Sequence, residues 1–164
     1  MEHLVDVADR FAVGELGSEE LTMVAADALA RGLDCAALVE LACLHRADSG
    51  GAPDLFRIAL AQLGLDDRAD VSWEQRRVEV IVRRTEASAR RVLVGDGDPY
   101  EHCAVIGEYL HQLAHIADAP MPELSALATD FEVLRVDWED GYGDPAEHGL
   151  ALKQSCERLL GRRA

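Results

Sequence analysis

Residues 72–99 read SWEQRRVEVIVRRTEASARRVLVGDGDP, and the two ends of this stretch decide how the chain is built. Ser72 followed three residues later by Gln75 is a capping-box pattern, in which two side chains satisfy backbone N–H groups that a helix start leaves open. The long helix it opens runs to about Val94, where Gly95 stops it. Asp98-Pro99 then starts another helix, because aspartate accepts from the first free amides and proline has no N–H to waste at the first helical position.

The same punctuation continues in both directions, with apolar residues at three- and four-residue spacing and few alternating runs long enough for strands. Upstream, a helix over about 2–13 places Leu4, Val5, Ala8, Phe11 and Ala12 on one face and is broken by Gly14 to Gly17. Ser18 caps a second helix, with Glu19 and Glu20 complementing its dipole, and Gly32 ends it. Asp34 caps a third, running to about Arg46; Asp48-Ser-Gly-Gly-Ala52 is a flexible connection, and Pro53 sits in the first turn of a fourth that ends near Gly64. Downstream, the sixth helix lasts to about Ala117, before Pro120 and Pro122, and the seventh reaches about Asp140. Asp144-Pro145 repeats the start signal for an eighth helix to Leu160. The expected fold is all-α, about eight helices packed as successive hairpins within a single domain covering residues 1–164.

Gly51-Ala-Pro53, Gly97-Asp-Pro99 and Gly143-Asp-Pro145 recur every 46 residues, and the last two extend to Gly-Asp-Pro-x-Glu-His. That interval matches HEAT-like helical repeats, so a stacked array is expected alongside a compact bundle. Helix starts select for Asp-Pro by themselves, which gives the coincidence a simpler source.

With 164 residues, 49% hydrophobic and 29% charged, the chain has ordinary globular usage, which excludes wholesale disorder. No window approaches the roughly 20 apolar residues of a bilayer span, and Met1 to Asp6 holds no basic leader. Cys35, Cys43, Cys103 and Cys156 form no CxxC pair and read as small buried hydrophobes, so a reducing cytoplasm is expected. Acids outnumber bases 31 to 16, a formal charge of -15, which works against nucleic-acid binding and favours a basic protein partner.

Three constellations carry candidate chemistry. Arginine pairs Arg76-Arg77, Arg83-Arg84 and Arg90-Arg91 repeat every seven residues along the fifth helix, with Glu74, Glu79 and Glu86 among them. Arg76, Arg83, Arg84 and Arg90 are the candidate anion contacts, since guanidinium forks hold oxyanions at two points. The same arginines can instead pair with acids four residues away, Glu79 with Arg83 and Glu86 with Arg90, or meet a second copy of the chain.

In residues 123–147, Glu123, Asp130, Glu132, Asp137, Glu139, Asp140, Asp144 and Glu147 face only Arg135. Asp137, Trp138, Glu139, Asp140, Tyr142 and Asp144 are the candidate partner-binding residues, because complementary charge speeds encounter and buried rings supply affinity. Trp138 packed into a core beneath a solvated helix end is the alternative. Calcium fits poorly, since these acids miss the EF-hand spacing.

Glu108, His111 and His115 share a face of the sixth helix, which also holds His102, in the manner of a helical metal site supporting a metal-assisted or small-molecule enzyme. A second Glu-x-x-His unit is missing, and Gln112 stands where a zinc protease has glutamate. The chain shows no nucleophile elbow or phosphate loop, so no cofactor is expected and catalysis is the weaker reading.

Phe11-Ala-Val-Gly-Glu-Leu-Gly-Ser-Glu-Glu-Leu21, continuing to Ala28-Leu-Ala-Arg-Gly-Leu-Asp34, resembles the opening of small helical proteins of uncharacterised function in high-GC actinobacteria. The resemblance covers the N-terminal third and brings no catalytic residues with it. Small acidic helical proteins include inhibitors and immunity proteins, and binding of that kind is the functional expectation here, on analogy of class.

Overall fold

The computed structural model describes residues 2–45, 50–65, 71–116 and 122–161, and among these described residues there are eight helices. They are α1 (Glu2–Ala12), α2 (Ser18–Ala30), α3 (Ala36–Cys43), α4 (Ala52–Gln62), α5 (Trp73–Val94), α6 (Pro99–Ile116), α7 (Pro122–Glu139) and α8 (Pro145–Gly161). Among the described residues there is no strand, and successive helices pack on one another from α1 to α4 and from α6 to α8, as the apolar periodicity predicts. No described helix is long and apolar enough to cross a membrane.

The helix starts show which signals act. The Ser72–Gln75 box closes in both directions, the Ser72 amide donating to Gln75 Oε1 at 3.2 Å and the Gln75 amide to Ser72 Oγ at 3.1 Å. At α2 the cap lies one residue earlier than expected: Gly17, not Ser18, is the N-cap, and its amide donates to Glu20 Oε2 at 2.7 Å. At α3 Cys35 takes the cap position in place of Asp34 and makes no side-chain capping bond, its thiol donating to Ala59 O at 3.9 Å. The open Ala37 amide is satisfied from α4 instead, by Gln62 Oε1 at 3.1 Å. Tertiary packing has replaced a local cap, which no local pattern could announce. Arg46, Asp48, Ser49, Ala117 and Pro120 lie outside the described residues.

The chain divides into two compact units, Met1–Val80 and Ile81–Ala164, with the boundary inside α5. In the first, α1 to α4 bury one aliphatic face each, centred on Leu4, Leu21, Leu38, Leu41, Leu60 and Phe56, with alanines Ala8, Ala25 and Ala59 letting the backbones approach. Trp73 at the start of α5 closes this core, edge-on to Phe11 at 4.8 Å and stacked on Phe56 at 6.3 Å. Beside it Arg76 Nη2 meets Asp9 Oδ1 at 3.1 Å, with side-chain exposures of 8% and 13%.

In the second unit α6 packs along α7, and α8 packs on both. Phe131, fully buried, lies against Gly107, where a Cβ would stand 3.5 Å from the Phe131 Cβ, so the two helices come close at this level. Ile81, Ile106, Leu110 and Leu152 complete the apolar interior, each worth about 1.5–3 kcal/mol relative to exposure. Thr85, also buried, spends its hydroxyl on the Ile81 carbonyl at 2.7 Å, so its polarity costs little there.

Candidate functional site

The Gly-Asp-Pro-x-Glu-His elements both fall in this second unit, and they fold alike. After α5, Gly95 takes a φ of 74° and the Asp96 amide donates to Arg91 O at 2.9 Å; after α7, Gly141 takes 69° and the Tyr142 amide donates to Asp137 O at 2.9 Å. This is the Schellman ending, in which a left-handed glycine lets the chain turn back on the last helical carbonyls. Two residues on, Gly97 and Gly143 are left-handed again, at 84° and 82°. Asp98 Oδ1 then accepts the Tyr100 amide and Asp144 Oδ1 the Ala146 amide, each at 2.9 Å. The unit that repeats is therefore eight residues long, Gly-x-Gly-Asp-Pro-x-Glu-His, two longer than the sequence pattern alone marked out. The third mark does not share it: Gly51 has a φ of -85° and caps α4 without a side-chain hydrogen bond.

The terminal histidine explains the second glycine. His102 folds back over its turn with Nε2 3.0 Å from Asp96 O, and a Cβ on Gly97 would stand 2.7 Å from that nitrogen. A Cβ on Gly143 would be 2.9 Å from His148 Nε2. Both histidines are buried at 9% exposure.

Side chains tie the two turns together at one end of the unit. Trp138 sits between Tyr100, edge-on at 6.2 Å, and His148, tilted at 5.4 Å. The Tyr100 hydroxyl donates to Glu139, which also pairs with Arg135, and Arg135 Nη2 holds Glu132 Oε1 at 2.7 Å. The Tyr100 hydrogen bond, followed by Arg135, keeps the Glu139 carboxyl below its ordinary range, and the same arginine does so for Glu132. Both carboxylates in turn raise the affinity of Arg135 for its proton.

The candidate binding residues divide accordingly. Trp138 and Asp137 are half-buried, and Trp138 is a support under the surface and not its exposed anchor. From Glu139 to Glu147 every residue is exposed, and Tyr142, 67% exposed, is the ring that projects. Asp140, Asp144 and Glu147 surround it in sequence, while Glu139 is engaged below. The first turn adds Val94, 79% exposed, with Asp96, Asp98 and Glu101, none of which the sequence offered as a binding residue. The duplicated octapeptide was the signal for them.

The arginines are committed within the chain. Arg76 is buried on Asp9 with its guanidinium 6.0 Å from the Trp73 ring centre, and Arg84 donates to the Tyr109 hydroxyl at 3.0 Å. Arg90 pairs with Glu86 at 3.0 Å and Arg91 with Asp96 at 2.8 Å; Arg77 and Arg83 are engaged as well. Each of the six arginines thus has an interaction within the chain.

On another face of this unit, α6 and α7 border an open groove of about 910 Å³, floored by small residues such as Ala104, Gly107 and Ala128 and rimmed by Glu108, His111, His115, Glu132 and Arg135. His111 and His115 are exposed, with their Nε2 atoms 3.0 Å apart. Glu108 does not join them: its Oε1 accepts from Gln112 Nε2 at 2.9 Å. Among the described residues no group of three or more His, Cys, Asp or Glu is gathered to hold a metal ion. No family model matches the chain, and searches of curated proteins and of solved structures likewise found no match.

Proposed function

We propose that the chain is a protein-binding module whose paired-turn end captures a basic protein, in the manner of an inhibitor or immunity factor. The observation that carries this reading is Tyr142, an exposed ring at the tip of an acidic turn that is itself braced from beneath by Trp138 and Tyr100. An aromatic anchor on a preorganised support loses little entropy on binding, and the carboxylates around it steer a cationic surface toward it. The chain's formal charge of -15 extends that steering beyond the turn. Internally paired arginines leave the acidic end as the charged feature with most to offer a partner.

The test is affinity capture from the native cell lysate at low salt, run in parallel with the wild-type chain and a Tyr142→Ala/Asp140→Asn/Glu147→Gln variant. These side chains lie at the exposed turn, so the variant keeps its helical content by circular dichroism. The expected result is one basic protein held by the wild type at near one-to-one ratio, released by high salt and missing from the variant. Capture of the same protein equally by both chains, or by neither, overturns the assignment of this surface.

A further inference from the structure

We propose that His111 and His115 form a two-histidine site for a late divalent transition metal, Ni2+ or Cu2+, opening onto the groove between α6 and α7. The two residues are one helical turn apart, the spacing at which helical His-x-x-x-His pairs put two imidazoles on one ion. Their Nε2 atoms are 3.0 Å apart with the rings nearly perpendicular, at 86°. With no ion between them, a contact that short requires one ring to give its Nε2–H to the other's lone pair. Binding a metal requires the donating ring to carry its proton on Nδ1 instead, the other neutral tautomer, which frees both Nε2 lone pairs for one ion.

The donor set selects the metal. Imidazole nitrogens hold Cu2+ and Ni2+ more tightly than the other divalent first-row ions, and both ions accept two protein ligands in adjacent positions of a square or octahedral field. Two protein ligands leave the remaining positions to water or to a small anionic or nitrogenous ligand, and the groove of about 910 Å³ gives such a ligand room.

Glu132 supports the cation from α7. It lines the same groove as the two histidines, so a cation there has a carboxylate on the facing helix. Arg135, which grips Glu132, keeps that carboxylate in place as a neighbour and not as a third ligand. Glu108, occupied by Gln112, leaves the pair to act by itself. The sequence pattern pointed to Glu108 as the partner of the histidines; in the structure its carboxylate accepts from Gln112.

The test is calorimetric titration of Ni2+ into the untagged chain at neutral pH, with His111→Ala and His115→Ala measured alongside. Both histidines are exposed on a helix and alanine is the best helix former, so the variants fold, which circular dichroism verifies. The expected result is one strong site per chain, weakened about tenfold or more by either substitution. Cu2+ bound to the wild type should show the hyperfine pattern of two equatorial nitrogens, reduced to one in each variant. A wild-type chain that takes up no Ni2+, or one whose binding is unchanged in both variants, overturns the proposal; the latter outcome assigns the ion to other groups, such as the exposed Cys43. Neither outcome bears on the paired-turn surface, which these substitutions leave intact.

Discussion

Replacing Gly97 by alanine separates two costs that a glycine in a turn normally confounds. Any alanine in the left-handed region costs about 1–2 kcal/mol. At Gly95, with φ 74° and nothing within 4 Å of an added Cβ, that is the whole penalty. At Gly97, with φ 84°, the Cβ would also lie 2.7 Å from His102 Nε2, so the ring must swing out. The ring then gives up its 3.0 Å contact with Asp96 O, a net loss of about 0.5–1.5 kcal/mol. Gly97→Ala should therefore cost roughly 2–3 kcal/mol, about 1 kcal/mol more than Gly95→Ala. Urea denaturation followed by far-UV circular dichroism resolves that difference through a shift in midpoint at constant slope. In a His102→Ala background the excess should vanish, leaving the two glycine substitutions equal. Equal costs in the wild-type background, or an excess that survives removal of the imidazole, would refute the idea that the histidine selects the second glycine.

Two further expectations rest on burial. Cys103 and Cys156 are buried, and burial pushes both thiols up to about 12, so at pH 8 the native protein should be alkylated at exposed Cys43 while these two react only after denaturation; peptide mapping after iodoacetamide treatment decides it. Asp9→Asn should cost about 3–5 kcal/mol in denaturant titrations because it removes the carboxylate charge set against the buried Arg76 guanidinium, whereas Asp9→Leu with Arg76→Met should recover most of that loss.

The fold was legible because its punctuation is local. The Ser72–Gln75 box, the Asp98 and Asp144 caps and the glycine stops act within a few residues of themselves, and each forms the contact its spacing predicts. Asp34 failed as a cap for the complementary reason: the amide it should have satisfied is met by Gln62, 25 residues away from Ala37 along the chain. The candidate surface was half legible. Its second turn showed as a density of acids around Trp138 and Tyr142, but its first turn carries fewer and becomes part of the same surface only through Tyr100, whose ring and hydroxyl reach across to Trp138 and Glu139. The arginine heptads illustrate the converse, since periodicity shows that side chains share a helix face but not what lies opposite. Arg76 meets Asp9 from α1, and Arg84 meets Tyr109 from α6.

Trp138 under the paired turns gives the protein an optical reporter of its own. The chain has two tryptophans, and the other, Trp73, is held in the first unit among Phe11 and Phe56. With Trp73 replaced by phenylalanine, the remaining indole emission would come solely from beneath the candidate surface, where its wavelength and intensity depend on how wet and how mobile the overlying turns are. Ligands arriving at that end could then be followed in real time without any attached dye.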